Sequence, residues 1–266
     1  MGHQTGAPFY MQLENIRTLV DKHPGEDVFV VATGPSLAGF DFSRLNQFTT
    51  IAVNDAVTAE GFEPTYHLFS DIAIWRRYPD HDYGRTKIVC QQVAAEHLLR
   101  HKSFSSGENL LTFKHRGNPA GQERDSDALF TGRTVANAGM LLAAKVGAHR
   151  IFLLGVDGYR LTGPDPHNSE NDSIFYFDGS AHLKGHQQAV ESRGEGERLI
   201  ERRHSNMTRH LRIVYNTFMV NFYPAEPQWP GPGVYNLSEH SIFDFLGKKI
   251  PIEEAMDDAK RRLSEG

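Results

Sequence analysis

The sequence predicts a single Rossmann-like α/β domain with a doubly wound, mostly parallel sheet. Three observations lead there. Short, continuous apolar runs recur along the chain, as in strands buried on both faces of a parallel sheet. Helical patterns separate these runs. The runs end in polar residues, at the place where open α/β sheets bind ligands. The 266 residues, 39% of them hydrophobic, suffice for a substantial core, and no linker, repeat or low-complexity tract divides 1–266 into further domains.

Taken in order, "MQLENIRTLVDK" (11–22) places Leu13, Ile16, Leu19 and Val20 at helical spacing before "HPG", so an N-terminal helix is expected within 1–25. "DVFVVATG" opens a nucleotide-binding core over 27–240, and similar runs follow at "FTTIAVND" (48–55), "TYHLFSD" (65–71), "TKIVCQQ" (86–92) and "HRIFLLGVDG" (149–158). The clearest helix is "TVANAGMLLAAKVGA" (134–148), closed by Gly147. Two stretches, 117–132 and 161–185, are too long for plain connections and are expected to be binding loops, the second a lid. Residues 186–222 read as one long or broken helix interrupted near Gly194 and Gly196, "GVYNLSEHS" (233–241) as a last strand and turn, and 251–266 as a C-terminal helix.

Charge and composition narrow the function. A formal charge of -5 and a pI near 6.3 give no global case for nucleic acid or an anionic membrane. The single cysteine, Cys90, excludes an internal disulfide. No apolar stretch approaches the roughly 18 residues of a transmembrane helix. "MGHQTGAPFYMQ" lacks a basic region followed by an apolar run, and Gly6 stands where a myristoylation pattern needs Ser or Thr. A cytoplasmic protein is expected, and homo-oligomerisation stays open.

The first strand ends in Thr33-Gly34-Pro35-Ser36, one glycine and a proline where a dinucleotide fingerprint has three glycines. Such a turn can expose backbone N–H groups and the Ser36 hydroxyl to a phosphate, or it can be an ordinary turn capped by Ser36. Asn54 and Asp55 end the next strand about where these folds bind a ribose hydroxyl. A nucleotide is expected, but with two glycines missing an extended pyrophosphate of the NAD type has less room. Ser70 and Asp71 end the third strand, and Gly155 and Asp157 the fifth, so three polar ends meet at one edge. Asp157 reads either as a ligand or as a turn cap. Thr131, Arg133 and Thr134 precede the 134–148 helix and could hold a phosphate at its N-terminus.

Asp178, His182 and His186 stand four and four apart, the spacing of a zinc triplet on a helix, but Gly179 and Gly185 oppose a continuous helix. No metal site is expected; one of these histidines reads better as a general base. Asp125-Ser126-Asp127 reads as polar loop. Arg198, Arg202, Arg209 and Arg212 share one helical face, which is either solvated or a stripe for an anionic acceptor such as a polysaccharide or nucleic acid.

The blocks "VATGPSL…DFSRL", "VND", "TVANAGMLLAAKVGAHRIFLLGVDGY", "GSAHLKGH" and "VYNLS" together resemble bacterial sialyltransferases of the Campylobacter lipooligosaccharide type. They also resemble the related Rossmann-like families that include archaeal hydroxymethyl-dihydropterin pyrophosphokinases and flagellin-glycosylation proteins. The resemblance runs in order over 27–240. It implies that Gly34, Pro35, Ser36 and Asn54 bind the CMP part of a sugar donor, that Tyr159 assists the leaving phosphate, and that His186 is the general base. Thr134 matches the first hydroxyl of the family's "ITSG" helix start, whereas Val135 and Leu183 replace a serine and a second tyrosine, which implies a changed donor pocket.

The expected function is a metal-independent, nucleotide-sugar-dependent glycosyltransferase. His186 would take the proton of an acceptor hydroxyl while Tyr159 and Thr134 help the departing phosphate, with no cofactor beyond the nucleotide sugar. Three alternatives stand beside it. One is a Mg²⁺-dependent, pyrophosphokinase-like transfer to a small alcohol, with Asp71 and Asp157 as the metal carboxylates. The second is a phage-type glycosyltransferase whose acceptor is a modified nucleic acid base rather than a glycan. The third is a non-catalytic nucleotide-binding module.

Overall fold

The computed structural model describes residues 13–77, 81–99, 109–117, 123–132, 134–157, 196–238, 241 and 243–265. Ten strands form the sheet among them: β1 Glu14–Asn15, β2 Asp27–Val31, β3 Thr49–Val53, β4 Tyr66–Phe69, β5 Lys87–Gln91, β6 Leu110–His115, β7 Ala128–Leu129, β8 Arg150–Leu154, β9 Gly233–Asn236 and β10 Lys248–Lys249. The helices are α1 Ile72–Arg77, α2 Gln92–Leu99, α3 Val135–Val146, α4 Gly196–Thr217 and α5 Ile252–Glu265. Strand order is β1-β6-β5-β4-β3-β2-β8-β9-β10, with β7 beside β6, and every pairing is parallel.

This order follows from the sequence pattern. β2, β3 and β8 are apolar almost throughout because both faces are covered. With a side-chain period of two, Val28 and Val30 join the core under α3 and α4, while Phe29 and Val31 join a second core with Phe152, Leu154, Ala255 and Met256. The chain steps outward from β2 through β3 and β4, then returns to lay β8 on the other side of β2. The β2/β8 seam is therefore the topological switch point, and the crevice beyond its carboxyl end is the expected ligand site.

Helix α3 fixes the wall of that crevice. A Cβ on Gly139 would lie 2.7 Å from Val30 Cγ1, so the small residue lets the helix settle directly on β2. Thr134 caps the first turn, its Oγ1 accepting from Ala136 N at 3.3 Å, and Gly147, at φ 97°, closes the last. At the opposite edge, fully buried Arg150 donates to Asp27 and Asp258 and lies 5.0 Å from the Trp229 ring centroid, tying α5 to the amino ends of β2 and β8.

The helix expected at 11–22 takes another form, and the crossover after β2 is not an α-helix either. The apolar spacing at 11–22 does not become an α-helix over its described part: Glu14–Asn15 pairs with β6, and only Ile16–Leu19 winds, as a 3₁₀ turn. Asn15 Oδ1 caps Arg17 N at 3.0 Å, and Asp21 at φ 54° ends the turn before another residue can join it. After β2, the crossover consists of two 3₁₀ segments, Pro35–Leu37 and Phe42–Leu45, separated by Gly39 and restarted by the Asp41 cap on Ser43 N. The 134–148 helix, the five quoted strands, the 233–236 strand and the C-terminal helix stand as expected, while 161–185, the expected lid, lies outside the described residues.

Candidate active site

A cavity of about 330 Å³ opens at the carboxyl ends of β2, β3, β4 and β8. Seven residues expected from the sequence line it together: Gly34, Asn54, Ser70, Thr131, Thr134, Gly155 and Asp157. Val135, expected to change the donor pocket, also lines it, whereas sequence reasoning missed Thr33 beside the turn, the Val53 and Val156 apolar walls, and Met207 and Phe243. Met207 comes from a helix whose polar sequence gave no sign of a cavity wall. Phe243 follows the last strand-and-turn segment, and neither carries a spacing that ties it to β2. Asp55 is fully buried and Asp71 exposed, and neither lines the cavity. Arg133, Tyr159, Asp178, His182 and His186 lie outside the described residues. Arg209 and Arg212 are exposed on α4, with the Arg212 guanidinium carbon 4.7 Å from the Phe245 ring centroid.

The turn at 34–36 is a clamp. Gly34 N donates to Gly155 O at 2.9 Å, Pro35 has no N–H, Ser36 N donates to Asp157 Oδ2 at 2.8 Å, and Leu37 N donates to Gly34 O at 3.1 Å. The Ser36 hydroxyl donates to Asp157 Oδ1 at 2.7 Å. The donors thought free for a phosphate thus hold this chain's own carboxylate, which locks the β2 end against the β8 end. Gly34 is needed for space: a Cβ there would lie 2.2 Å from Asp157 Oδ2 and 2.4 Å from Gly155 O.

Anion-binding capacity lies across the cavity. The N-terminus of α3 points its positive end at the space bounded by Thr131, Gly132, Thr134 and Val135. Thr131 is fixed from two sides, its Oγ1 3.0 Å from His115 Nδ1 and its carbonyl accepting from Asn137 Nδ2 at 3.2 Å. Of the described lining residues, Asp157 alone carries a charge, so hydroxyls, amides and the helix end make up the polar surface.

Asn54 stands opposite. Its backbone is left-handed, φ 53°, a conformation Asn tolerates better than most residues. Its carbonyl accepts from Nε2–H of fully buried His67 at 2.8 Å, and its own Oδ1 is buried with no hydrogen-bond partner among the described residues. Burial pulls the His67 pKa down to about 3, against the raising effect of the bond to Asn54. A base whose folded pKa is lowered binds fewer protons folded than unfolded between that value and about 6.5, so its contribution to stability is full above pH 6.5 and is lost as pH falls. The expected slope reaches about 1.4 kcal/mol per pH unit. Urea unfolding between pH 7 and 4.5 checks this: the His67→Gln protein should lose markedly less stability than the wild type, and parallel profiles would contradict it.

For a divalent metal, the described donor set does not fit. Asp157 is the one carboxylate at the cavity and both its oxygens already accept from Ser36, while Asp71 does not reach it. Among the described residues no group of three or more His, Cys, Asp or Glu is placed to hold a metal ion. Nor, among them, is any helix long and apolar enough to cross a membrane.

No curated protein matches the chain. Solved structures similar to it include the sialyltransferase CstII from Campylobacter jejuni in complex with a substrate analogue, cytidine-5'-monophosphate, at 14% sequence identity, 86% coverage of each chain and a TM-score of 0.42. A family model described as 6-hydroxymethylpterin diphosphokinase MptE-like matches residues 6–159, from ahead of β1 to just past the Asp157 clamp. That span contains the 34–36 turn, Asn54, Ser70, the start of α3 and Asp157, and it agrees with the resemblance carried by the sequence blocks; the chain belongs to the 6-hydroxymethylpterin diphosphokinase MptE-like family.

Proposed function

We propose that the protein is a nucleotide-dependent transferase that binds a nucleotide sugar in the switch-point cavity and transfers the sugar to an acceptor hydroxyl. The observation that carries this reading is one cavity lined both by Asn54, at the end of β3, and by Thr134 and Val135 at the N-terminus of α3. The Asn54 amide suits a ribose hydroxyl or a base, and the helix end suits a phosphate. In the proposed step the acceptor oxygen bonds to the anomeric carbon, the bond from that carbon to the phosphate oxygen breaks, and the acceptor proton passes to His186. Thr134 and Tyr159 assist the leaving nucleoside phosphate. The acceptor is a glycan hydroxyl or, in the variant reading, a modified nucleic acid base.

The family match favours a second reading, diphosphoryl transfer from ATP to a small alcohol. A thermal-shift series with CMP, UDP, GDP and ATP, each with and without Mg²⁺, separates the two, because a ligand that binds the native state raises the melting temperature. A metal-independent shift with a pyrimidine or guanine nucleotide supports the first reading. A shift confined to ATP with Mg²⁺ moves the assignment to the second, and no shift with any of the four removes both.

Asn54→Gly is expected to weaken the binding nucleotide by about 0.5 to 1.5 kcal/mol, roughly 2- to 12-fold, through loss of one hydrogen bond. The fold should be untouched, since glycine accepts the left-handed backbone. Calorimetric titration of a cooperatively melting variant checks this; unchanged affinity takes Asn54 out of the site.

A further inference from the structure

We infer that Met207 is a specificity-determining residue of the switch-point cavity, its side chain forming the wall against which the base of a bound nucleotide lies. The inference rests on the nucleotide reading above and deepens it, because it names the residue that limits which base is accepted. Met207 comes from α4, whose register is fixed independently of the cavity. Leu211, Val214 and Phe218 follow it at the fourth, seventh and eleventh positions, and all three are buried in the core under α3. On the same helix His210 abuts the segment that leads into α3. Its ring centroid lies 5.6 Å from that of Phe130, and a Cβ on Gly132 would come within 3.0 Å of His210 Cβ and Cγ. Met207 stands one turn before these anchors, half-buried, packed against the core and lining the cavity. A helix covers its backbone with its side chains, so what α4 presents to the cavity here is the Met207 thioether.

The wall to which Met207 belongs is apolar and continuous. Val53, Val156 and Phe243 are members of one buried core cluster, and Ala32, Val135 and Met207 pack against that cluster where it meets the cavity. Of the parts of a nucleotide sugar, the phosphate carries charge and the sugars carry hydroxyls, whereas the base is a flat ring with weakly polar faces. The base is therefore the part that an apolar wall accepts, and a thioether against a ring is a favourable contact in its own right. At about 330 Å³ the cavity lies near the lower end of the range for small-molecule pockets, about 300 to 1,000 Å³. In so small a space the length of one wall side chain decides whether a two-ring base fits. Ala32 and Val135 have little to give up, and Val135 opens α3; Met207 is the long, unbranched side chain of the three.

The test uses the whole chain and two phosphate-matched pairs of probes, CMP with GMP and UDP with GDP. Each is titrated calorimetrically into the wild type, Met207→Ala, Met207→Leu and Leu211→Ala. Within a pair only the base differs, so the ratio of the two affinities reports the base alone. In Met207→Ala the guanine-to-pyrimidine ratio should rise by about tenfold or more, the scale on which an apolar pocket senses one methylene. The pyrimidine probe itself should lose roughly 2- to 12-fold with the sulfur–ring contact. Met207→Leu conserves the volume, and its ratio should stay within about threefold of wild type. Leu211→Ala, which empties a core position outside the cavity lining, should lower the melting temperature and leave the ratio unchanged. If Leu211→Ala does not melt cooperatively, Leu211→Val replaces it. An unchanged ratio in Met207→Ala, or an equal rise in Met207→Leu or at Leu211, would overturn the assignment while leaving the nucleotide reading standing. A wild type that binds none of the four probes ends both.

Discussion

Replacing Gly34 by alanine is expected to abolish nucleotide binding and to lower stability by roughly 3 to 5 kcal/mol, through overpacking together with lost charge-assisted hydrogen bonds. The new methyl group would need the space of Asp157 Oδ2 at 2.2 Å, Gly155 O at 2.4 Å and Asp157 Cγ at 2.6 Å. Two of these are a charged group already engaged by Ser36, and the third is backbone, so none can step aside cheaply. Relief requires the β2 end to part from the β8 end, which breaks Gly34 N to Gly155 O and both Ser36 bonds to Asp157. That separation widens the cavity floor on which a ligand would rest. Gly39→Ala supplies the comparison: Gly39 sits at φ 72° with nothing within 4 Å of a Cβ, so it should cost only the left-handed strain of about 1 to 2 kcal/mol and leave binding intact. Urea midpoints and nucleotide titrations on the two variants check the contrast. A Gly34→Ala protein with wild-type affinity would show that the seam is not part of the binding floor.

Much of this was legible in the sequence, and the reason differs by element. β2, β3 and β8 were readable because strands covered on both faces must be apolar almost throughout. The polar residues at their ends were readable because parallel strands deliver their carboxyl ends to one edge. Hence Gly34, Asn54, Ser70 and Asp157, far apart in sequence, were expected together and line one cavity. What the 34–36 turn holds was not readable: a free Ser36 and a Ser36 bound to Asp157 have the same sequence, and only the β2/β8 register brings the carboxylate within 2.8 Å. Helical spacing at 11–22 misled for a related reason. Apolar residues needed to cover the β6 edge of the sheet fall at the same intervals whether the chain winds as an α-helix or as a strand and a 3₁₀ turn. Met207 was hidden because its place on the cavity wall comes from packing against the core, which leaves no residue pattern.

On the proposed mechanism, His186→Ala should lower turnover by about 10²- to 10⁴-fold, the usual contribution of a general base, while donor affinity stays near wild type because the base acts on the acceptor. The chain segment that carries His186 follows Asp157, a wall residue of the cavity at the end of β8. His182→Ala, four residues earlier, should do much less. The pH–rate profile of the wild type should fall on the acid side near pH 6.5, where an ordinary imidazole takes up a proton and can no longer accept one from the acceptor. That acid limb should flatten in what activity His186→Ala retains. The metal alternative makes a different set of results: Asp178→Ala, His182→Ala and His186→Ala would be equally damaging, and a chelator would reproduce them in the unmodified protein. Turnover of the three variants with a donor that the thermal-shift series identifies, measured with and without chelator, decides between them. Full activity in His186→Ala would end the general-base assignment, and equal losses with chelator sensitivity would move these residues to a metal centre.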